Sequence, residues 1–175
     1  DWPYTVNAVS GYSGGGKALI GRFEDDRDIA WRGYGLTFGH KHVAEMQRYA
    51  GLAIAPLFSP AVIAAHRGMV VEIPLPLGVM PGNVPADLLR AALTQFYAAS
   101  PVVTVEQELP ASGEMLMRAS MEPWDGLKLH VMGSADGEQV RLVAVLDNLG
   151  KGASGAAVQT LNLMAGLDET AGLRL

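Results

Sequence analysis

Hydrophobic and polar positions alternate over residues 4–10, where Tyr4, Val6 and Ala8 are separated by Thr5 and Asn7, and this period of two predicts a strand. Gly-Tyr-Ser-Gly-Gly-Gly at 11–16 breaks the alternation, so the strand runs into a loop. Residues 24–32 are polar and read as a surface excursion, and 33–38 is a second strand. At 41–50 the period becomes helical: Val43, Met46 and Ala50 share one side, with His40 and His42 at the helix start. Apolar runs at 53–58 and 70–75 read as buried strands, with a turn or short helical piece at 61–66. The clearest helix is 85–99, where Leu88, Leu89, Ala92, Leu93 and Phe96 form one stripe and Pro85 suits the first turn. A short strand follows at 102–107. Strands at 127–133 and 140–147 then pair across Ser134-Ala-Asp-Gly137, a hairpin signal. A glycine-rich segment leads into the closing helix.

Irregular alternation of strands and helices, with one antiparallel hairpin, predicts an α+β domain whose mixed, largely antiparallel sheet is covered by helices. The 175 residues suffice for one core, and no repeat or interdomain linker interrupts them. A hydrophobic fraction of 49% against 18% charged residues implies apolar surface buried against another chain or domain. A net charge of −5 without a Lys/Arg cluster speaks against nucleic-acid binding. No apolar run reaches the ~18 residues of a membrane span, since Glu72 and prolines interrupt the longest, at 68–80. The N-terminal residues hold neither an initiator Met nor a signal-type pattern and read as a start in mid-chain. With no cysteine the chain has no disulfide, thiolate or cysteine metal site, and cytoplasmic residence is the default expectation.

Three clusters carry candidate chemistry. In the first loop, Ser10, Gly11, Tyr12, Ser13 and Lys17 combine hydroxyls, exposed N–H groups and a cation, which suits an oxyanion; an ordinary turn is the other reading. The order is not that of a Walker loop, which fails at Ala18. The second such segment holds Gly150, Gly152 and Gly155 within six residues, with Lys151 beside them and a helix behind. It reads either as an anion site or as a glycine-rich helix start with Ser154 as N-cap. The third cluster is Gly39-His-Lys-His-Val-Ala-Glu45, in which His42 and Glu45 share a helix face. It is compatible with acid/base work, with a surface histidine pair, and less well with a metal, for which ligands are too few. His66 is isolated, and His130 reads as structural. Met115, Met117 and Met121 read as core or interface, and Trp2, Trp31 and Trp124 as packing or contact residues.

Together these segments resemble the C-terminal half of the N-acetyl-gamma-glutamyl-phosphate reductases, in their shorter bacterial subtype, relatives of the aspartate-semialdehyde dehydrogenases. The likeness rests on Asn7-Ala-Val-Ser-Gly-Tyr-Ser-Gly-Gly-Gly-Lys17, on Tyr34-Gly-Leu-Thr37 with His40, His42 and Glu45, on Arg67-Gly-Met69, and on Leu146-Asp-Asn-Leu-Gly-Lys-Gly-Ala-Ser-Gly-Ala-Ala-Val-Gln-Thr-Leu-Asn-Leu-Met164. The resemblance implies a fold like the C-terminal domain of glyceraldehyde-3-phosphate dehydrogenase. Residues 1–146 would form the catalytic and dimerisation domain, and 147–175 a loop and helix packing on a Rossmann half outside this chain. It further implies NADP-dependent reduction of N-acetyl-L-glutamyl 5-phosphate to the semialdehyde, in arginine biosynthesis. A cysteine thiolate absent from this chain would attack the acyl phosphate, so this piece alone is expected to be inactive. His42 then matches the acid/base histidine, with His40 as second choice. Ser10, Gly11, Tyr12, Ser13 and Lys17 match the substrate loop, and Asn148, Lys151, Gly152 and Ala153 the segment near the nicotinamide. No metal is implied, and the partner is a second copy, as dimer or tetramer. The alternatives are a non-catalytic homodimerisation module and an aspartate-semialdehyde dehydrogenase-like enzyme, whose glycine-rich loops differ.

Overall fold

The computed structural model describes residues 3–80, 82 and 84–175; Trp2, expected as a packing or contact residue, lies outside the described residues. Seven strands form one sheet: β1 (Thr5–Gly11), β2 (Trp31–Gly33), β3 (Leu57–Ile63), β4 (Met69–Leu75), β5 (Val103–Val105), β6 (Leu127–Gly133) and β7 (Val140–Leu146), in the order β2-β3-β1-β4-β7-β6-β5. Only β1–β3 and β5–β6 run parallel. The other pairings are antiparallel, so the sheet is mixed and largely antiparallel, as the alternation of elements predicts. Among the described residues four α-helices accompany the sheet: α1 (Gly16–Asp25), α2 (Lys41–Tyr49), α3 (Ala86–Phe96) and α4 (Gly155–Ala165).

The period of two in β1 places Val6 and Ala8 on one face, where Phe58 of β3 joins them beneath Val43 and Met46 of α2. Toward the other end of the same face, Leu75, Val131 and Val140 pack under Leu89 and Leu93 of α3. The opposite face carries Leu57, Ser59, Thr104, Lys128 and Arg141, all exposed. The hairpin strands β6 and β7 pair in full register from Leu127↔Leu146 to Gly133↔Val140. α3 begins at Ala86, with Pro85 at the N-cap rather than inside the first turn.

Three elements differ from the periodicity reading. Between the loop at 11–16 and the polar excursion at 24–32, in residues to which periodicity assigned no element, the chain forms α1, whose apolar signal is only the Leu19–Phe23 spacing of one turn; Phe23 is buried and stacked on Tyr12 at 5.2 Å. Gly16 opens that helix from φ 71, a conformation glycine adopts without steric cost. β2 ends at Gly33 rather than starting there, because the chain turns at Gly35 and Phe38 N donates to Gly35 O at 2.8 Å. β3 runs through the stretch read as a turn, since a short apolar run does not tell helix from strand and pairing with β1 and β2 on both sides decides it.

The last residues fold back on the sheet. Asp125, nearly fully buried, accepts from Arg174 N and Nε at 2.9 Å and from Nη2 at 3.1 Å, while its own N donates to Arg174 O at 2.8 Å. The Arg174 hydrogen bonds hold the Asp125 carboxyl below its ordinary value of 3.8, against the opposing effect of burial. Because the folded value is depressed, this stabilisation is present above 3.8 and is lost as pH falls through the folded value. Asp125→Asn is expected to lower the melting temperature at pH 7, with the gap to the native chain closing as the pH drops below 3.8. Melting curves between pH 2 and 7 check this, and a gap that does not change with pH contradicts it.

Candidate active-site cleft

Strand register aligns the site. Arg32 pairs with Val62, Val62 with Ser10, and Ser10 with Met69, so these four side chains lie in one row on the face that α2 and α3 cover. Where β1 ends, the chain makes a tight turn at residues 12–15 and enters α1, whose N-cap is Gly15 with no side chain on its free N–H groups. Gly14 sits so close to the row that a Cβ there would stand 3.2 Å from Ser10 Oγ and 3.4 Å from Asn148 Nδ2. A methyl group there would crowd the Ser10 hydroxyl and touch Asn148.

A cleft of about 620 Å³ opens over this row. Its floor is Ala8, Ser10, Phe58, Pro60, Val62 and Met69, and its walls are Gly14 and Gly15 before α1 with Ala18 and Leu19 within it, His40 to His42 of the α2 start, and Asn148 with Gly152. Arg22, Arg32, Tyr34 and Lys41 also face it, and among the described residues its lining holds no Asp or Glu. Helix starts present N–H groups and the positive end of the dipole, so they add to the cleft's positive potential.

The two histidines sit in different surroundings. His40 is the N-cap of α2: its Nδ1 accepts from His42 N at 3.2 Å, which places the ring proton on Nε2. Tyr34, His42 and Phe58 surround it edge-on with centroids at 5.5, 4.8 and 5.0 Å. Burial lowers the His40 pKa from 6.5, helped by the positive charges of His42 and Lys41 and opposed by Glu45. His42 is half exposed, with Nε2 3.8 Å from Glu45 Oε2, the pairing that the helix spacing predicts. Burial also raises the Tyr34 pKa above 10.0 despite Arg32, whose guanidinium lies 4.9 Å from the ring centroid.

A polar node behind the cleft joins three loops. Asn148 Oδ1 accepts from Gly68 N and its Nδ2 donates to Ser13 Oγ, both at 2.9 Å. Beside it, fully buried Asp147 accepts from Arg67 Nη1 at 2.7 Å, Leu149 N at 2.9 Å and Trp124 N at 3.3 Å. The glycine-rich segment then winds one π-helical turn, Gly150–Ser154, with Ser154 N bonded to Leu149 O, before α4 begins. Ser154 is the residue before α4, yet its hydroxyl donates to Leu149 O and makes no cap.

Of the residues singled out in the sequence, Ser10, His40, His42, Asn148 and Gly152 come together on the cleft. Gly11 and Ser13 stand behind it: Gly11 N bonds Gly68 O at 2.7 Å, and Ser13 is buried against Asn148. Tyr12 turns away to stack between Phe23 and His66. Lys17 and Ala153 are not among the lining residues, and Lys151 Nζ donates to Gln159 Oε1, which continues to Glu169. Sequence reading assigned no role to Arg22, Arg32, Tyr34 or Lys41. Arg32 becomes visible only with the register of β2 against β3, and Arg22 only with α1.

Residues 1–148 match the family model described as semialdehyde dehydrogenase, dimerisation domain. The chain belongs to that family. Among its relatives, N-acetyl-gamma-glutamyl-phosphate reductase 2 of Nostoc sp. is 43% identical over 98% of this chain. The N-acetyl-gamma-glutamyl-phosphate reductase of Brucella ovis is 45% identical over 95%. The chain spans 57% and 56% of those proteins' lengths. In fold, it resembles aspartate semialdehyde dehydrogenase II from Vibrio cholerae, with a TM-score of 0.65 at 17% identity, covering 93% of this chain and 55% of that one. A probable aspartate-semialdehyde dehydrogenase from Pseudomonas aeruginosa gives 0.58 at 21% identity, covering 92% and 55%.

The environment of His40 gives a direct test. Its lowered pKa means that the folded state favours the neutral ring, so its stabilisation is present above 6.5 and is lost as pH falls through the folded value. An NMR titration of the four histidines is expected to show His40 with a midpoint below 6.5. A midpoint at or above 6.5 contradicts the geometry described.

Proposed function

We propose that this chain is the substrate-binding and acid/base half of a reductase converting N-acetyl-L-glutamyl 5-phosphate to N-acetyl-L-glutamate 5-semialdehyde. The observation that carries the reading is the shared cleft: Ser10, the uncapped start of α1 and both histidines face one space that no carboxylate of the described residues lines. The relatives named for this activity supply the substrate. The acyl phosphate lies with its phosphoryl oxygens against Ser10 and the N–H groups of the α1 start, which neutralise the charge released as phosphate leaves. A thiol from outside this chain, which itself has no cysteine, displaces that phosphate to give a thioester.

His40, neutral and carrying its proton on Nε2, donates to the acyl oxygen. His42, more exposed and oriented by Glu45, moves the proton that the hemithioacetal oxygen gains and loses. NADPH supplies the hydride when bound. Asn148, with one Nδ2 hydrogen left beyond its bond to Ser13, and the side-chain-free wall at Gly152 suit the nicotinamide end. Lys151 and Ala153 lie apart from the cleft lining.

Residues 147–175 pack on the nucleotide-binding half in this reading. Leu161, Leu163 and Met164 of α4 support it, since they are 63%, 57% and 81% exposed. The exposed positions on the sheet face opposite α2 and α3, among them Leu57, Ser59 and Arg141, are the surface through which two copies meet, in keeping with the family's dimerisation role. Among the described residues no helix is long and apolar enough to cross a membrane.

In the full-length protein, His42→Ala is expected to lower kcat about a hundredfold or more with the melting temperature retained. Steady-state rates close to the unsubstituted protein exclude the acid/base role. The 175-residue chain alone is expected to give no phosphate-dependent reduction of NADP with the semialdehyde, followed by absorbance; measurable turnover contradicts the half-site reading.

A further inference from the structure

The cations of the cleft outnumber what one phosphate requires. Arg22 from α1, Arg32 from β2 and Lys41 from the start of α2 all face it, and none of the three takes part in an ion pair or side-chain hydrogen bond among the described residues. In a chain of net charge −5, three such cations around a space without a carboxylate form a site for more than one anionic group.

Arg32 is the most prepared of them. It is half-buried, its strand register fixes it two strands from Ser10, and its guanidinium is held over the Tyr34 ring at 4.9 Å. The contact with the ring restrains the guanidinium, so its N–H fork has less side-chain freedom to lose on meeting a carboxylate. Two strand spacings, about 10 Å, separate the backbone positions of Ser10 and Arg32. A small ligand with an anionic group at each end bridges them.

We propose that Arg32, held on Tyr34 and assisted by Arg22, is a second anion subsite that binds the α-carboxylate of an N-acylated amino acid whose other end lies at the Ser10 turn. The inference deepens the reductase reading and rests on it for the identity of the substrate. It assigns Arg32 to substrate selection: the subsite accepts a free carboxylate in a bidentate contact and leaves the guanidinium unpaired against a neutral group.

Binding is the test, because it is read without turnover. The full-length protein is titrated calorimetrically with N-acetyl-L-glutamate, with its α-amide N-acetyl-L-isoglutamine and with inorganic phosphate. The unsubstituted protein is expected to prefer the free α-carboxylate by about 10- to 100-fold, the range of a charge-assisted hydrogen bond. Arg32→Gln is expected to abolish that preference while phosphate affinity stays within about threefold; Arg32→Lys restores part of it, and Arg22→Gln weakens it. Unchanged melting temperatures show that the variants fold. A preference that survives Arg32→Gln overturns the inference, as does an equal loss for phosphate, which would make Arg32 a phosphate ligand. Turnover of the acyl phosphate without carboxylate preference sinks the subsite and leaves the reductase reading standing. Carboxylate preference in a protein that reduces no acyl phosphate does the reverse.

Discussion

Asp147 has no exposed surface, and its carboxylate meets Arg67 at 2.7 Å while Asn148, the next residue, ties Gly68 N to Ser13 Oγ. Three loops from distant parts of the chain, after β1, between β3 and β4, and after β7, therefore share one polar node. Removing one partner of a fully buried ion pair costs about 3–5 kcal/mol. The figure is smaller here because Arg67 keeps a fifth of its side chain exposed. What the node adds beyond stability is position. Without it the Ser10 turn, the glycine-rich segment and the Arg67-Gly-Met69 turn would have no common reference, and the cleft they enclose would have no fixed width. Backbone bonds from Gly11, Tyr12 and Ser13 to Gly68, Ala65 and His66 extend the same brace.

The chemistry follows from that placement. A sheet row from Arg32 through Val62 and Ser10 to Met69 supplies the floor, helix starts supply positive potential, and two histidines in unlike surroundings face the same space. The family match and the semialdehyde dehydrogenase fold agree with this architecture. The proposed reductase reading rests on the cleft's composition and on the names of relatives of which this chain spans 57% and 56%.

Much of the fold could be read from local pattern where the pattern was long. The β6–β7 hairpin declared itself through its turn residues, α2 and α3 through their apolar stripes, and β1 through alternation. α1 escaped because glycines dilute its apolar face to Leu19 and Phe23, and β3 because pairing on both edges, rather than periodicity, makes it a strand. At the site, the histidines and Ser10 were visible as residue types in telling neighbourhoods. Tyr12 and Lys151 were not separable from true cleft residues, since only packing reveals that one stacks on Phe23 and the other is held by Gln159. Arg22 and Arg32 carried no local motif; the fold alone brings them to the cleft.

The claim on which the account turns is that Asn148 holds the Ser10 turn against the rest of the cleft. Hydrogen exchange of the Asn148→Ala variant measures this most directly. The Ser13 and Gly68 amides are expected to lose at least tenfold protection while the amides of the β6–β7 pairing exchange as before. Unchanged protection at Ser13 and Gly68 would show that the turn stands without the node, and would contradict that claim.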